Sequence, residues 1–223
     1  MPVKLLTLDE AAALLRMEAK EIKALVTSGE LPCIWQGARM MFEYDELDTW
    51  YSNRLVRHLP IRHAEHAQPV PQEMRLADYC RLETMEPALA GKTKPAILRS
   101  LTQLAERTGM LYNPEEFLEN IRRREELSST AMAEGIALVH PMDRDEFLCE
   151  GPFLAVGHST VPVFFGEADG VPTDLFFLIC STDPEEHLQI LAKLCQAIAD
   201  GKVLEALRAA ETPEEMLAAV QGL

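Results

Sequence analysis

A proline- and histidine-rich stretch divides the chain and limits how it can fold. Residues 58–73, HLPIRHAEHAQPVPQE, contain prolines at positions 60, 69 and 71 and almost no large apolar side chain. Such a segment favours an extended linker, because proline fixes φ and has no N–H to donate to a helix or a sheet. The sequence therefore predicts two domains, residues 1–57 and 74–223, joined by a linker at 58–73.

The charge is distributed unevenly between the two halves. Residues 1–57 carry seven basic and nine acidic side chains, whereas 13 basic side chains face 26 acidic ones from residue 73 onward. The whole chain has a net charge of -15 and a pI near 4.8. A field of this sign argues against a protein that coats nucleic acid or anionic lipid through its overall charge. Either task would need a local basic face.

Cysteine usage and the N-terminal sequence indicate the compartment. The five cysteines include no C-x-x-C pair and mostly lie within apolar runs, which is typical of thiols in a reducing compartment. The opening MPVKLLTLDEAAALLRM places Asp9 and Glu10 inside its apolar run, unlike a signal peptide or a membrane span. We therefore expect a cytoplasmic protein with no membrane insertion, no metal and no other cofactor.

The first half has the order of a helix-turn-helix followed by a wing. Thr7 is the predicted N-cap of the helix LDEAAALLRM, and a second helix, AKEIKALVTSG, is predicted to end at Gly29. The segment LPCIWQGARMMFEY predicts two short strands that turn at Gly37, and YDELDTWYSNRL predicts a closing helix. We therefore predict a small α+β winged helix-turn-helix domain.

This frame also carries a resemblance. The pattern L-T-L-D-E-A-A-x-L-L, S-G-E-L-P, G-x-R and D-E-L-x-x-W resembles the excisionase-like branch of winged helix-turn-helix domains. The resemblance implies DNA binding, with Lys20, Lys23 and Arg39 as the candidate phosphate contacts. However, the second helix begins with MEAKE where relatives carry several Arg or Ser residues, and carboxylates facing phosphates weaken binding. DNA binding and a protein contact therefore both stay open for this domain.

The second half alternates helices and short apolar runs. TKPAILRSLTQLAERTGML and NPEEFLENIRRREEL predict two helices, the latter with Asn113 as N-cap and Pro114 in its first turn. The runs GIALVH, PFLAVGH, VPVFF and TDLFFLIC predict strands, and SSTDPEEHLQILAKLCQAIAD and ETPEEMLAAV predict two more helices. Helices before and after one set of strands predict an α/β sandwich.

Five motifs of this half share the order and spacing of a known family. They are Arg124 with Glu125, SST at 128–130, EGIALVH at 134–140, ADGVPTDLFFLI at 168–179 and DPEEHLQILAKL at 183–194. Together they resemble the fructose, mannitol and nitrogen-regulatory type of enzyme IIA in the bacterial phosphotransferase system. The resemblance implies a mixed sheet flanked by helices.

The resemblance also implies a phosphoryl-transfer site. His140, at the end of GIALVH, matches the histidine that such domains phosphorylate, and a neutral imidazole is a competent nucleophile near pH 7. His187 matches the second histidine, which would donate a hydrogen bond to the phosphoryl oxygens. Arg124 matches the arginine that balances their charge. Ser129 and Thr130 stand where hydroxyl or backbone donors would line the pocket.

The segment around His140 leaves three functions open. This chain reads STAMAEGIALVHP where the family usually reads STGxGNGIAIPHG. The main hypothesis is a regulatory protein phosphorylated on His140 by the histidine phosphocarrier protein, and coupled to the N-terminal module. The alternatives are a degenerate domain that binds regulatory target proteins without phosphorylation, and a sugar-specific carrier. The chain is a phosphotransferase component only if His140 is active, and specific DNA binding would need a homodimer.

Overall fold

The computed structural model describes most of the chain outside the segment that joins its two halves. The described residues are 5–15, 17–44, 46–47, 49–51, 54, 74–142, 148–166, 170–198 and 201–221. The chain divides into two compact units, Met1–Leu55 (unit 1) and Val56–Leu223 (unit 2). The predicted linker at 58–73 lies outside the described residues. Within the part described, no helix is long and apolar enough to cross a membrane.

The described residues of unit 1 form a three-stranded sheet, two continuous helices and a further helical region near residue 50. Its elements are β1 (Leu5–Thr7), α1 (Leu8–Leu15), α2 (Ala19–Ser28), β2 (Ile34–Gln36) and β3 (Arg39–Glu43). The strand order is β1-β3-β2, and both pairings are antiparallel. The described residues between 44 and 54 are helical, in the region where the sequence predicts a closing helix.

The turn chemistry of unit 1 follows the sequence prediction. The Glu10 amide donates to Thr7 Oγ1 at 3.3 Å, and the Thr7 amide donates to Glu10 Oε2 at 2.7 Å. This reciprocal pair is a capping box that begins α1. Gly29 and Gly37 have φ values of 79° and 64° at the end of α2 and in the β2–β3 turn, where the left-handed conformation favours glycine.

Unit 2 is an α/β sandwich built on a mixed sheet. Its elements are β4 (Cys80–Glu86), α3 (Lys94–Glu106), α4 (Pro114–Leu127), β5 (Ile136–Val139), β6 (Phe153–Val163), β7 (Thr173–Cys180), α5 (Pro184–Ile198), α6 (Gly201–Ala209) and α7 (Pro213–Gln221). The strand order is β4-β6-β7-β5. The β6–β7 pair is antiparallel, whereas β4 runs parallel to β6 and β5 runs parallel to β7. The predicted fold class is therefore confirmed.

Three elements of unit 2 differ from the sequence prediction. The runs PFLAVGH and VPVFF do not form separate strands, because β6 continues through 153–163 with a register irregularity against β7 between His158 and Val163. The edge strand β4 and the helix α6 were not predicted at all. In β4 only Thr84 and Met85 are buried, so the strand lacks an apolar alternation that a sequence pattern could reveal.

The strand β5 is the rigid support of His140. All four of its side chains are buried, and it pairs with β7 from Ile136↔Leu175 to Val139↔Leu178. On the side of α3 and α4, Ala137 and Val139 belong to a core that also includes Ile97, Leu101, Phe117, Ile121, Phe153, Phe176 and Leu178. A short strand covered on both faces reads as a continuous apolar run, as GIALV does. The histidine therefore stands directly after a well-packed strand.

The N-cap of α4 gives a test of the packing of unit 2. The side chain of Asn113 accepts a hydrogen bond from the Glu116 amide at 3.2 Å. We expect Asn113→Ala to lower the free energy of unfolding of unit 2 by about 1 kcal/mol and Asn113→Gly by only a few tenths, because glycine is a tolerated N-cap. Urea unfolding followed by far-UV circular dichroism measures both changes.

The two tryptophans supply an internal control for this measurement. Trp35 and Trp50 both belong to unit 1, so tryptophan fluorescence follows that unit alone. Its midpoint in urea should stay unchanged in both Asn113 variants. A shift of the fluorescence midpoint, or an equal loss for alanine and glycine, would contradict the assignment of the cap.

Candidate functional site

His140 is held in one tautomer by the strand that carries it. Its ring is 1% exposed, and Nδ1 lies 2.8 Å from the carbonyl oxygen of Leu138. Because a carbonyl only accepts, Nδ1 carries the proton of the neutral ring. The lone pair then lies on Nε2, which accepts a hydrogen bond from Arg124 Nε at 3.0 Å. The backbone thus makes Nε2 the nucleophilic atom of this imidazole.

Arg124 places a buried cation against that atom. It lies in the last turn of α4 and is 1% exposed. Its Nη1 donates to the carbonyl oxygen of Ser128 at 2.9 Å, in addition to the bond from Nε to His140. A guanidinium stays charged when buried and presents several N–H groups in one plane. The site can therefore attract and hold the oxygens of an anionic group at Nε2.

His187 completes the buried group. Its amide donates to the carbonyl oxygen of Asp183 at 3.0 Å in the first turn of α5, and its side chain is 0% exposed. The ring centroids of His187 and His140 are 5.2 Å apart, with the ring planes inclined by 57°. Three residues predicted from the sequence, on α4, after β5 and on α5, therefore come together in one buried cluster.

Ser129 and Thr130 both bind Glu125. The Ser129 hydroxyl donates to Glu125 Oε1 at 2.7 Å, and the hydroxyl and amide of Thr130 donate to Oε2 at 2.6 and 2.9 Å. Lys94 Nζ completes the set at 2.9 Å from Oε1. The two hydroxyls predicted to line the pocket thus have a buried carboxylate as their partner. Sequence reasoning gave Glu125 no role, although its position beside Arg124 was a signal.

Arg208 also supports the site, although no sequence pattern predicted a role for it. From α6 it donates to both carboxylate oxygens of Asp174, at 2.9 and 2.7 Å, and to the carbonyl oxygen of Glu134. Glu134 has a φ of 62°, in the left-handed region, and Gly135 beside it has a φ of 74°. Arg208 therefore holds the turn that enters β5. Because Arg208 is distant in sequence from Glu134 and Asp174, no sequence motif could predict these contacts.

Of the three predicted DNA contacts of unit 1, Lys20 is paired with a carboxylate, whereas Lys23 and Arg39 are exposed. Lys20 Nζ lies 2.6 Å from Glu18 Oε2, and the hydrogen bond with Glu18 raises the pKa of Lys20. Glu18 and Glu21 form a capping box at the start of α2, so carboxylates already occupy N–H groups there. Across the described residues of both units, no group of three or more His, Cys, Asp or Glu side chains could hold a metal.

The mixed sheet of unit 2, flanked by helices, has the fold of solved enzyme IIA proteins. Residues 79–222 match the family described as phosphoenolpyruvate-dependent sugar phosphotransferase system, EIIA 2, and residues 5–55 match a helix-turn-helix domain. The chain therefore belongs to the EIIA 2 family and carries an N-terminal helix-turn-helix domain.

Individual relatives agree with this assignment. The nitrogen regulatory protein of Pseudomonas aeruginosa is 33% identical over 128 residues, which are 56% of this chain and 81% of that protein. The crystal structure of the nitrogen regulatory protein IIA-Ntr of Neisseria meningitidis matches with a TM-score of 0.58 and 24% identity, over 65% of this chain and 98% of that one. Enzyme IIA mannitol of Escherichia coli, solved with phosphorylated enzyme IIB, matches with a TM-score of 0.57, 22% identity and the same coverage.

The close approach of Gly166 to Ser129 gives a test of how tightly the residues around the site are packed. A Cβ atom on Gly166, whose φ is 135°, would lie 2.1 Å from Ser129 Oγ and 2.5 Å from Ser129 Cβ. We expect Gly166→Ala to lower the free energy of unfolding of unit 2 by about 3 kcal/mol, because it combines a disfavoured φ with a steric overlap. Urea unfolding followed by circular dichroism measures the loss.

Gly170 is the matched control for this substitution. It also has a positive φ, 79°, but a Cβ there would meet no described atom within 4 Å. Gly170→Ala should therefore cost about 1 kcal/mol, from the backbone conformation alone. Equal losses for the two variants would show that contact with Ser129 does not limit position 166.

Proposed function

We propose that this protein is a phosphoryl-accepting regulatory protein of the bacterial phosphotransferase system, phosphorylated on Nε2 of His140 by the histidine phosphocarrier protein. The observation that carries the proposal is the pair of hydrogen bonds on the ring of His140. Nδ1 donates to the Leu138 carbonyl oxygen, and Nε2 accepts from Arg124 Nε. They leave one nucleophilic nitrogen and put a buried cation beside it. Membership of the EIIA 2 family supports the reaction class.

The transfer is a displacement between two imidazoles. The lone pair of His140 Nε2 attacks the phosphorus carried by the phosphohistidine of the partner. A nitrogen–phosphorus bond forms at Nε2 while the bond to the partner's nitrogen breaks, and that nitrogen takes the electron pair. The Nδ1 proton stays on its hydrogen bond to the Leu138 carbonyl, which stabilises the positive charge that develops on the ring.

Arg124 and His187 have separate roles in this step. Arg124 Nε binds Nε2 before transfer, so its N–H groups must turn to the phosphoryl oxygens as the new bond forms. His187, with its ring centroid 5.2 Å from that of His140, donates a hydrogen bond to the same oxygens. Because His140 and His187 are 1% and 0% exposed, Nε2 must become accessible before a partner reaches it.

The phosphoryl state of His140 then reports on the phosphotransferase system to the N-terminal module. The helix-turn-helix family of unit 1 supports a DNA-binding role, with Lys20, Lys23 and Arg39 as the contacts. The Glu18–Lys20 ion pair and the carboxylates that cap α2 favour the second candidate, a contact with a regulatory target protein, because they reduce the positive field that phosphates require.

Phosphorylation of the full chain tests the first proposal. The protein should gain the mass of one acid-labile phosphoryl group when incubated with phosphoenolpyruvate, the first enzyme of the system and its histidine phosphocarrier protein. His140→Ala should gain none, because no other residue is proposed to accept the group. His158 is a half-buried histidine on β6, so His158→Ala is the matched control and should gain the full phosphoryl mass. Absence of any gain in the parent, with a working control acceptor, would leave the interaction module as the better account.

The rate of phosphorylation tests the role of His187. His187→Ala should still accept the group, but about 100-fold more slowly, which is the cost of losing one hydrogen-bond donor to the transferring oxygens. Rapid-quench measurement of phosphoprotein formation gives the rate, and circular dichroism of each variant shows whether the fold is kept. Equal rates for the variant and the parent would remove His187 from the site.

Salt dependence of DNA binding tests the role of unit 1. If Lys20, Lys23 and Arg39, with or without one neighbour, contact phosphates, log affinity should fall with a slope of about -3 against log salt, because each of the three or four contacts contributes about -0.9. Binding of the full chain to promoter fragments from its own locus gives this slope. The double variant Lys20→Glu, Arg39→Glu should lose binding.

A double variant of unit 2 is the charge-matched control. Lys92→Glu with Arg99→Glu changes the net charge equally at two exposed positions of the other unit. It should keep most of the affinity. Equal losses for the two double variants, or no binding even at low salt, would favour the protein-contact role.

A further inference from the structure

Cys149 and Cys180 form a buried pair of thiols that has no part in the proposed phosphoryl transfer. All five cysteines of the chain are thiols. Cys180 is the last residue of β7, and its sulfur lies 2.9 Å from that of Cys149. The two residues are 2% and 1% exposed, and both belong to the core under α3 and α4. The pair joins two segments that are distant in sequence.

The backbone around Cys149 holds its side chain in this position. Cys149 forms an isolated antiparallel bridge with Leu111. On either side of the bridge, the Glu150 amide donates to the Met110 carbonyl at 2.9 Å and the Tyr112 amide donates to the Leu148 carbonyl at 3.3 Å. Cys180 is held equally well, because it is paired with Phe153 in the β6–β7 ladder. The juxtaposition of the sulfurs therefore follows from main-chain pairing on both sides.

The pKa of the Cys149 thiol is shifted in the opposite direction from that of two other thiols of unit 2. The hydrogen bond with Cys180 lowers the pKa of the Cys149 thiol, against the opposing effect of burial and with help from the Gly151 amide. By contrast, burial raises the pKa of Cys80 and of Cys195 to about 12. Since the thiolate is the reactive form, Cys149 is the more nucleophilic of these thiols.

We propose that Cys149 and Cys180 are an oxidation site at which hydrogen peroxide forms an intramolecular disulfide. The Cys149 thiolate attacks one peroxide oxygen, so that a sulfur–oxygen bond forms, the oxygen–oxygen bond breaks and water leaves after protonation. The sulfur of Cys180 then attacks Cys149, the sulfur–sulfur bond forms and a second water leaves. The two thiols lose two electrons and two protons, and hydrogen peroxide is reduced to two waters.

The disulfide would link the segment that follows His140 to the segment that precedes His187. Cys149 belongs to the connection that leaves His140, and Cys180 directly precedes the turn into α5, which carries His187. That turn is already fixed by Ser181, whose hydroxyl donates to Glu186 Oε2 at 2.7 Å. Oxidation would therefore link covalently the two segments that lead from His140 and to His187. The inference rests on the thiol pair alone and holds whether or not His140 is phosphorylated.

Peptide mapping of the full chain tests the proposal. The reduced protein is freed of reductant, treated with hydrogen peroxide, unfolded and alkylated with iodoacetamide. We expect two fewer alkylated cysteines, a monomeric mass and one cross-linked peptide pair that contains Cys149 and Cys180, all reversed by dithiothreitol. Cys149→Ser and Cys180→Ser should lose the cross-link, whereas Cys195→Ser, which also replaces a buried thiol, should keep it.

Thermal unfolding provides a second readout. The cross-linked protein should unfold several degrees higher than the reduced protein, because the bridge restricts the unfolded chain, and the difference should vanish in Cys180→Ser. The peptide map of the parent protein tests the proposal even if a serine variant does not fold. Full alkylation of both cysteines after peroxide treatment, or a disulfide through any other cysteine, would overturn the proposal.

Discussion

The buried carboxylate of Glu125 is the interaction on which the rest of the site depends. A carboxylate removed from water is strongly destabilising unless it is fully hydrogen-bonded and its charge is balanced. Glu125 is 4% exposed and receives four bonds, from Lys94 on α3 and from Ser129 and Thr130 after α4. These bonds fix the last turn of α4 against the loop after it. Because Arg124 is the preceding residue, the same contacts fix where its guanidinium can reach.

The chemistry of His140 is set by the main chain more than by neighbouring side chains. The carbonyl that orients its ring belongs to Leu138, two residues earlier in the same chain. Correct formation of β5 therefore already selects the tautomer, before Arg124 or His187 is in place. This explains why an apolar strand that ends in histidine was informative as a sequence pattern. The strand supplies both the rigid support and the hydrogen-bond acceptor.

The sequence predicted residues whose type and position within one element carry a direct physical meaning. It did not predict the roles of residues that depend on contacts with distant parts of the chain. His140, Asn113 and Gly29 stand at ends of elements, where residue type and position have a direct physical meaning. Glu125 was given no role because a charged side chain is expected on the surface unless its partners are known. Arg208 contacts Asp174 and Glu134 only through the tertiary fold. The polar residues within β6 indicated a break, although the strand continues through them with an irregular register.

The guanidinium of Arg124 offers a fixed, planar set of hydrogen-bond donors, and two of its bonds go to His140 and Ser128. One donor binds the imidazole of His140, and another binds the carbonyl oxygen of Ser128, at the boundary of α4. An anion that arrives at Nε2 competes for the same planar set of N–H groups. Under the proposed phosphorylation of His140, a guanidinium that turns toward the new oxygens would also change its bond to Ser128, a main-chain acceptor at the end of α4. A partner that senses only the backbone at the end of α4 would then respond to a covalent change in the interior that it never touches.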